Sequence, residues 1–271
     1  MPFHQLWPTY LSQSPASASP ELPNFVALLS RWVPDPTLAA WIHQCENLIF
    51  SVLIASALAL IFRLGLRRRE EIPSTFQNLL ELGAEKLQEA VVTTLGPSGK
   101  QHVPFLGTIF IYVLAMNIAG LFPLLKSPTS SINITLGLAL CVFAKVQYLN
   151  IRNMGVLGFL YHLAGSPKGV LGWVLVPLMF PLELLTQFTR PATLAFRLCG
   201  NLLGEDILIG SFALFGVNLI ANYYYAPPVG LPLQLPFMFL VLLTSVLQAL
   251  VFTLLSTIYI LLSMPHTEEH H

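Results

Sequence analysis

Residues 181–206 read PLELLTQFTRPATLAFRLCGNLLGED and place strong charges in the middle of a long apolar segment. On a helix of 3.6 residues per turn, Glu183, Gln187, Arg190, Arg197, Asn201 and Glu205 follow at intervals of four, three, seven, four and four. At about 100° per residue all six fall within an arc of roughly 80°, and leucines and phenylalanines cover the other sides. Asp206 lies on the flank of this stripe. An ionised group at membrane depth costs about 2.5–3.5 kcal/mol even on the lenient insertion scale. A whole row of polar groups therefore reads as a functional feature, and an ion path is the usual one.

The composition around the stripe agrees. Hydrophobic residues make up 55% of the 271 residues and charged ones 10%, far from the quarter typical of soluble domains. This is the profile of a polytopic membrane protein. The net charge is zero and no basic run is interleaved with aromatics, which argues against a nucleic-acid partner. Cys45, Cys141 and Cys199 are far apart, in or beside apolar segments, so neither a disulfide framework nor a metal site is expected. The N-terminal MPFHQLWPTYLSQSPASASP has no basic n-region and no apolar h-region. It does not read as a cleavable signal, and the first spanning helix is expected to direct insertion.

Outward from the stripe, the chain reads as an all-α membrane protein of five spans plus one interfacial amphipathic helix. Residues 1–37, rich in Pro and Ser, read as an extramembrane arm, 38–264 as the membrane domain and 265–271 as a tail. Spans are expected at about 38–64, 104–125, 132–149, 173–215 and 237–264. Ser74 and Gln77 fit a capping box opening a helix over about 74–95. One face of that helix carries Phe76, Leu79, Leu80, Leu87 and Val91, and its other side is acid-rich. It reads either as a helix resting on the lipid interface or as one that meets a protein partner.

Arg63, Arg67, Arg68 and Arg69 close the first span and place the next loop inside by the positive-inside rule. Eight loop cations fall on that side against two, Arg31 and Lys126, on the other. The expected topology is N-terminus outside and C-terminus inside. A continuous helix over 173–215 would extend roughly 65 Å, about twice the hydrocarbon thickness. It must tilt strongly, break at Pro177, Pro181 or Pro191, or do both. A strong tilt in the C-terminal helix hairpin would present the stripe to a large neighbour. Gln248 lies 24 residues beyond Tyr224 and Arg197 lies 27 before it, so the two are expected at similar depth.

An arginine guanidinium is a permanent cation with five donors and no acceptor, so Arg197 is suited to holding a fixed charge rather than relaying protons. Its alternative is an intrachain ion pair with Glu183, Glu205 or Asp206. At this point the residues resemble a known family. RPATLAFRLCGNLLGEDIL is similar to the signature helix of subunit a of rotary F-type ATP synthases, in which an arginine is followed by Leu, a variable residue, Gly and Asn. MNIAGLFP, SSINITLGLALCVF, PLELLTQFTRP and VLQALVFTLLSTIYILLSM agree in order, so the resemblance covers roughly Asn47 to Met264.

The resemblance implies a proton-conducting stator with two offset half-channels against a rotating ring of c subunits, held by peripheral-stalk b subunits. It also implies no cofactor and no catalytic site in this chain. By position Arg197 matches the essential arginine, Asn201 its partner and Gln248 the polar residue of the last helix. Asp206, with Glu205 beside it, falls where the outer path has its acid or histidine, and Glu183 matches an acid of the inner side, with Gln187 next to it. Val241 stands where some members have histidine, and Gly120 replaces a common acid, so the outer path is expected to lean on Asp206, Glu205, Ser245 and Thr244. Arg190 is a secondary lining residue. The transported ion reads as a proton, with sodium left open, and the location as a bacterial inner membrane. The rival reading is a self-contained transporter or channel, which five spans without a visible repeat fit poorly. A membrane hydrolase lacks support, because neither HExxH nor GxSxG occurs.

Overall fold

The computed structural model describes residues 26, 41, 44–65, 75–122, 125–165, 169–223 and 232–263, and they are all-helical, with no strand among them. They form α1 (Glu46–Gly65), α2 (Thr75–Leu95), α3 (Val103–Ala119), α4 (Ile132–Leu163), α5 (Gly169–Tyr223) and α6 (Leu235–Leu262). Short 3-10 turns occupy Pro97–His102 and Pro128–Ser130. Five segments, in every helix but α2, are long and apolar enough to cross a membrane. The chain is a polytopic integral membrane protein. Most of the expected N-terminal arm, Arg67 to Arg69, Ser74, Lys168, Tyr224 and the tail beyond Ser263 lie outside the described residues.

α3 is the most enclosed helix, packed on α6 and flanked by α1 and α2, while α4 runs along α5. Leu106, Val113 and Met116 of α3, Ala195 and Leu198 of α5, and Ala249 and Phe252 of α6 are sealed from the surroundings. Lipid tails are as apolar as leucine, so the core is held by close van der Waals packing and a few interhelical hydrogen bonds. One such bond joins the Ser51 and Tyr112 hydroxyls, 2.6 Å apart, and ties α1 to α3. Phe252, 1% exposed, is the largest side chain that α6 buries. Phe252→Ala is expected to cost about 3 kcal/mol, the low end for a buried phenylalanine because lipid replaces water in the reference state. A lowered thermal midpoint in detergent would report it.

α4 is two helices joined at Gly155, whose φ of 70° and ψ of 166° suit glycine alone. The part before it, 132–154, extends about 34 Å at 1.5 Å per residue, enough for one crossing. α5 takes 55 residues, roughly 82 Å, and runs through Pro177, Pro181 and Pro191 without interruption. Between them Thr186 and Thr189 donate to the Leu182 and Leu185 carbonyls one turn back, at 2.9 and 2.7 Å. Hydroxyls satisfied within their own helix can face lipid at little cost.

α2 buries Val91 and Leu95 and leaves its charged side open. There Lys86 and Glu89 pair at 2.9 Å. Their hydrogen bond, reinforced by charge, holds the Lys86 ammonium above and the Glu89 carboxyl below their usual ranges. With both side chains more than 60% exposed, the pair contributes little to stability.

Candidate ion-translocation site

The polar stripe of α5 is not one surface once the neighbouring helices are in place. Gln187 is buried, Glu183, Arg190, Glu205 and Asp206 are half-buried, and Arg197 and Asn201 are exposed. α4 and α6 cover different lengths of so long a helix, and the stripe passes from one covering to the next. Three polar regions result.

At the centre, Asn201 Nδ2 donates to Gln248 Oε1 at 3.0 Å, joining α5 to α6. The expected closeness of Gln248 to the arginine is realised one turn on, through Asn201. Arg197 makes no hydrogen bond or ion pair among the described residues, so the intrachain pair with Glu183, Glu205 or Asp206 does not form. Phe196 is 66% exposed, and a methyl group added at Gly200 or Gly204 would meet nothing within 4 Å. Leu243 and Leu247 of α6 continue this open face.

Beyond Asn201 a second region forms. Glu205 lies beside the Thr244 hydroxyl, and its Oε2 is buried with no hydrogen bond among the described residues. The Ser245 hydroxyl is buried in the same way. Ser245 also leads to a network that sequence reading missed. Asn117, 1% exposed, donates to the Ser245 carbonyl at 3.3 Å and accepts from the Thr129 hydroxyl at 2.9 Å. Ser127 lies 2.8 Å from Thr129 and donates to the Met116 carbonyl at 3.0 Å. The Pro128–Ser130 turn is thereby packed against α1, α3, α4 and α5, and Cys199 closes it with a bond to the Ser130 carbonyl at 3.1 Å. A signal was available, since Asn117 is a lone amide deep in an apolar span.

A third region opens between α4 and α5, beside Tyr259 of α6, as a small cleft of about 20 Å³. Gln147, Asn150, Gln187, Arg190 and Tyr259 supply its polar lining. Gln147 donates to Gln187, Asn150 donates to Gln147 at 3.4 Å, and the Arg190 guanidinium stands 5.7 Å from the Tyr259 ring centroid. Glu183 is not part of the lining. Gln147, Asn150 and Asn153 recur at intervals of three, a helical signature that α4 carries in plain view. No cluster of His, Cys, Asp and Glu among the described residues could hold a metal ion.

Comparison with known proteins bears on this arrangement. A family model described as "ATP synthase A chain" matches residues 48–261. The "ATP synthase subunit a" of Protochlamydia amoebophila is 60% identical over 245 residues, 90% of each chain. That of Solidesulfovibrio magneticus is 34% identical, covering 82% of this chain and 85% of the relative. That of Oleidesulfovibrio alaskensis is 37% identical, covering 72% and 76%.

Proposed function

This chain belongs to the ATP synthase A chain family, and from that premise we propose how its three polar regions serve as the proton-conducting stator of the membrane sector. Arg197 and Asn201 face a ring of c subunits, each bearing a membrane-embedded carboxylate. Protons reach that carboxylate from outside past Asp206, Glu205, Thr244 and Ser245, with Asn117 and Thr129 extending the path. After the ring has carried them round, they leave inward through the cleft lined by Gln187 and Arg190, with Glu183 at its approach. Gln248 holds Asn201 so that the arginine's face keeps its shape.

The observation that carries this reading is the exposed, unpaired Arg197 on an apolar face. A fixed cation at membrane depth needs an anion, and none is paired with it among the described residues. A ring carboxylate would be that anion. Beside the arginine it is held ionised, gives up its proton to the inner path and accepts another from the outer one. The same cation repels a proton moving directly between the paths. Each charge that leaked would forfeit about 2.3 kcal/mol per 100 mV.

We place the N-terminus outside and the C-terminus inside a bacterial inner membrane, with residues 1–37 and 265–271 flanking a membrane domain of 38–264, and peripheral-stalk b subunits holding it against the torque. A photo-activated cross-linking residue at Phe196 tests the assignment in the assembled complex. It is expected to capture a ring subunit, whereas one at Leu157, 83% exposed beyond the α4 break, should label lipid. Absence of ring adducts from Phe196, with efficient lipid labelling there, would remove the ring from this face.

A further inference from the structure

Lys145 lies in α4 about 20 Å along the helix from Ile132, inside a segment apolar enough to span. It has no carboxylate partner among the described residues. Its ammonium instead sits between two rings, 5.7 Å from the Phe105 centroid and 5.8 Å from that of Tyr148. Phe105 belongs to the first turn of α3, beside the turn that ends in His102. The ammonium is therefore drawn to the end of the spanning helices where α2 lies, at headgroup level. His102, 4% exposed and bonded to Gln101 at 3.2 Å, is within electrostatic reach of it. Arg152, seven residues further on α4 and so on the same face, is exposed.

We propose that Lys145 and Arg152, with Phe105 and Tyr148 as walls, bind the phosphate of one anionic phospholipid in the leaflet on the α2 side. Two cations on one helix face, with no carboxylate paired to either among the described residues, make a place that favours an anion. Tyr148 is 56% exposed, so one of the two rings beside the ammonium lies on the outer surface of the helix bundle. Basic pockets between spanning helices are where anionic headgroups dock. The site is separate from the ion path and does not depend on it.

The test is native mass spectrometry of the purified, assembled complex titrated with phosphatidylglycerol or phosphatidylcholine, for wild type, Lys145→Gln, Arg152→Gln and Lys145→Arg. Phosphatidylglycerol should occupy one high-affinity site that each glutamine variant weakens about fivefold per cation removed. Lys145→Arg should retain it. Unchanged occupancy in Lys145→Gln would mean that the lysine merely reaches for water, and equal retention of phosphatidylcholine would reduce the site to an acyl groove. Displacement of the lipid by millimolar inorganic phosphate would make it a soluble-anion site. Each of these overturns the proposal. If the variants do not assemble, the wild-type preference for phosphatidylglycerol and its decline with salt decide the question.

Discussion

Arg197→Lys should abolish ATP-driven proton pumping in inverted vesicles, although it keeps the charge. In the proposed arrangement the ring carboxylate is met in water-poor surroundings, where a planar fork can offer two parallel hydrogen bonds and an ammonium only a point contact. Removing one partner from a desolvated ion pair costs about 3–5 kcal/mol, a factor of roughly 10² to 10⁴ in rate. Arg197→Ala should be at least as severe and should also let protons pass passively through the assembled complex, because in the proposed arrangement nothing then separates the two paths. Since Arg197 makes no hydrogen bond or ion pair among the described residues that the substitution would break, both variants should accumulate and assemble normally. Pumping near the wild-type rate in either variant would mean that the stripe belongs to structure alone.

Gly204→Leu and Gly200→Leu should each lower coupled pumping about tenfold or more while leaving the chain itself as stable as before. Beyond the local backbone of α5, no described residue lies within 4 Å of a methyl group at either position, and leucine favours a helix by up to about 1 kcal/mol over glycine. Loss of activity must then come from a body outside the chain. Forcing a leucine into a close-packed helix contact costs about 1–3 kcal/mol. Gly137→Leu is the control, since its added side chain also meets open space but on α4, away from the arginine. Thermal midpoints for all three should match or exceed wild type. If Gly204→Leu pumps as well as Gly137→Leu, the glycine face meets lipid, and the ring must dock elsewhere.

The sequence carried much of this site, for a simple reason. Charged and amide side chains are expensive in hydrocarbon, so Glu183, Arg197, Asn201 and Gln248 stand out from their neighbours by cost alone. Residues that hide the same cost in pairs were less visible. Gln147 and Asn150 satisfy each other and Gln187 across α4 and α5, and Asn117 is satisfied by Thr129 and the Ser245 backbone. Only their partners reveal what they line. Gly155 was passed over for another reason, because a glycine inside an apolar run looks like any small residue until its backbone is seen at positive φ.

By itself the amino-acid order determined that this is an all-helical membrane protein with several spans, and that one helix bears a polar stripe around an arginine. Length, hydropathy and helical period are local properties, and in lipid each spanning segment must satisfy its own backbone. The division of that stripe belonged to the tertiary structure. Which of its members are sealed against α4, which bond to α6 and which are left facing outward depends on how far each neighbour reaches along a helix of 55 residues. Periodicity reports the direction in which a side chain points, whereas burial reports what has been packed there. Among the described residues that packing leaves Arg197 exposed, with no hydrogen bond or ion pair, which no reading of periodicity could have decided.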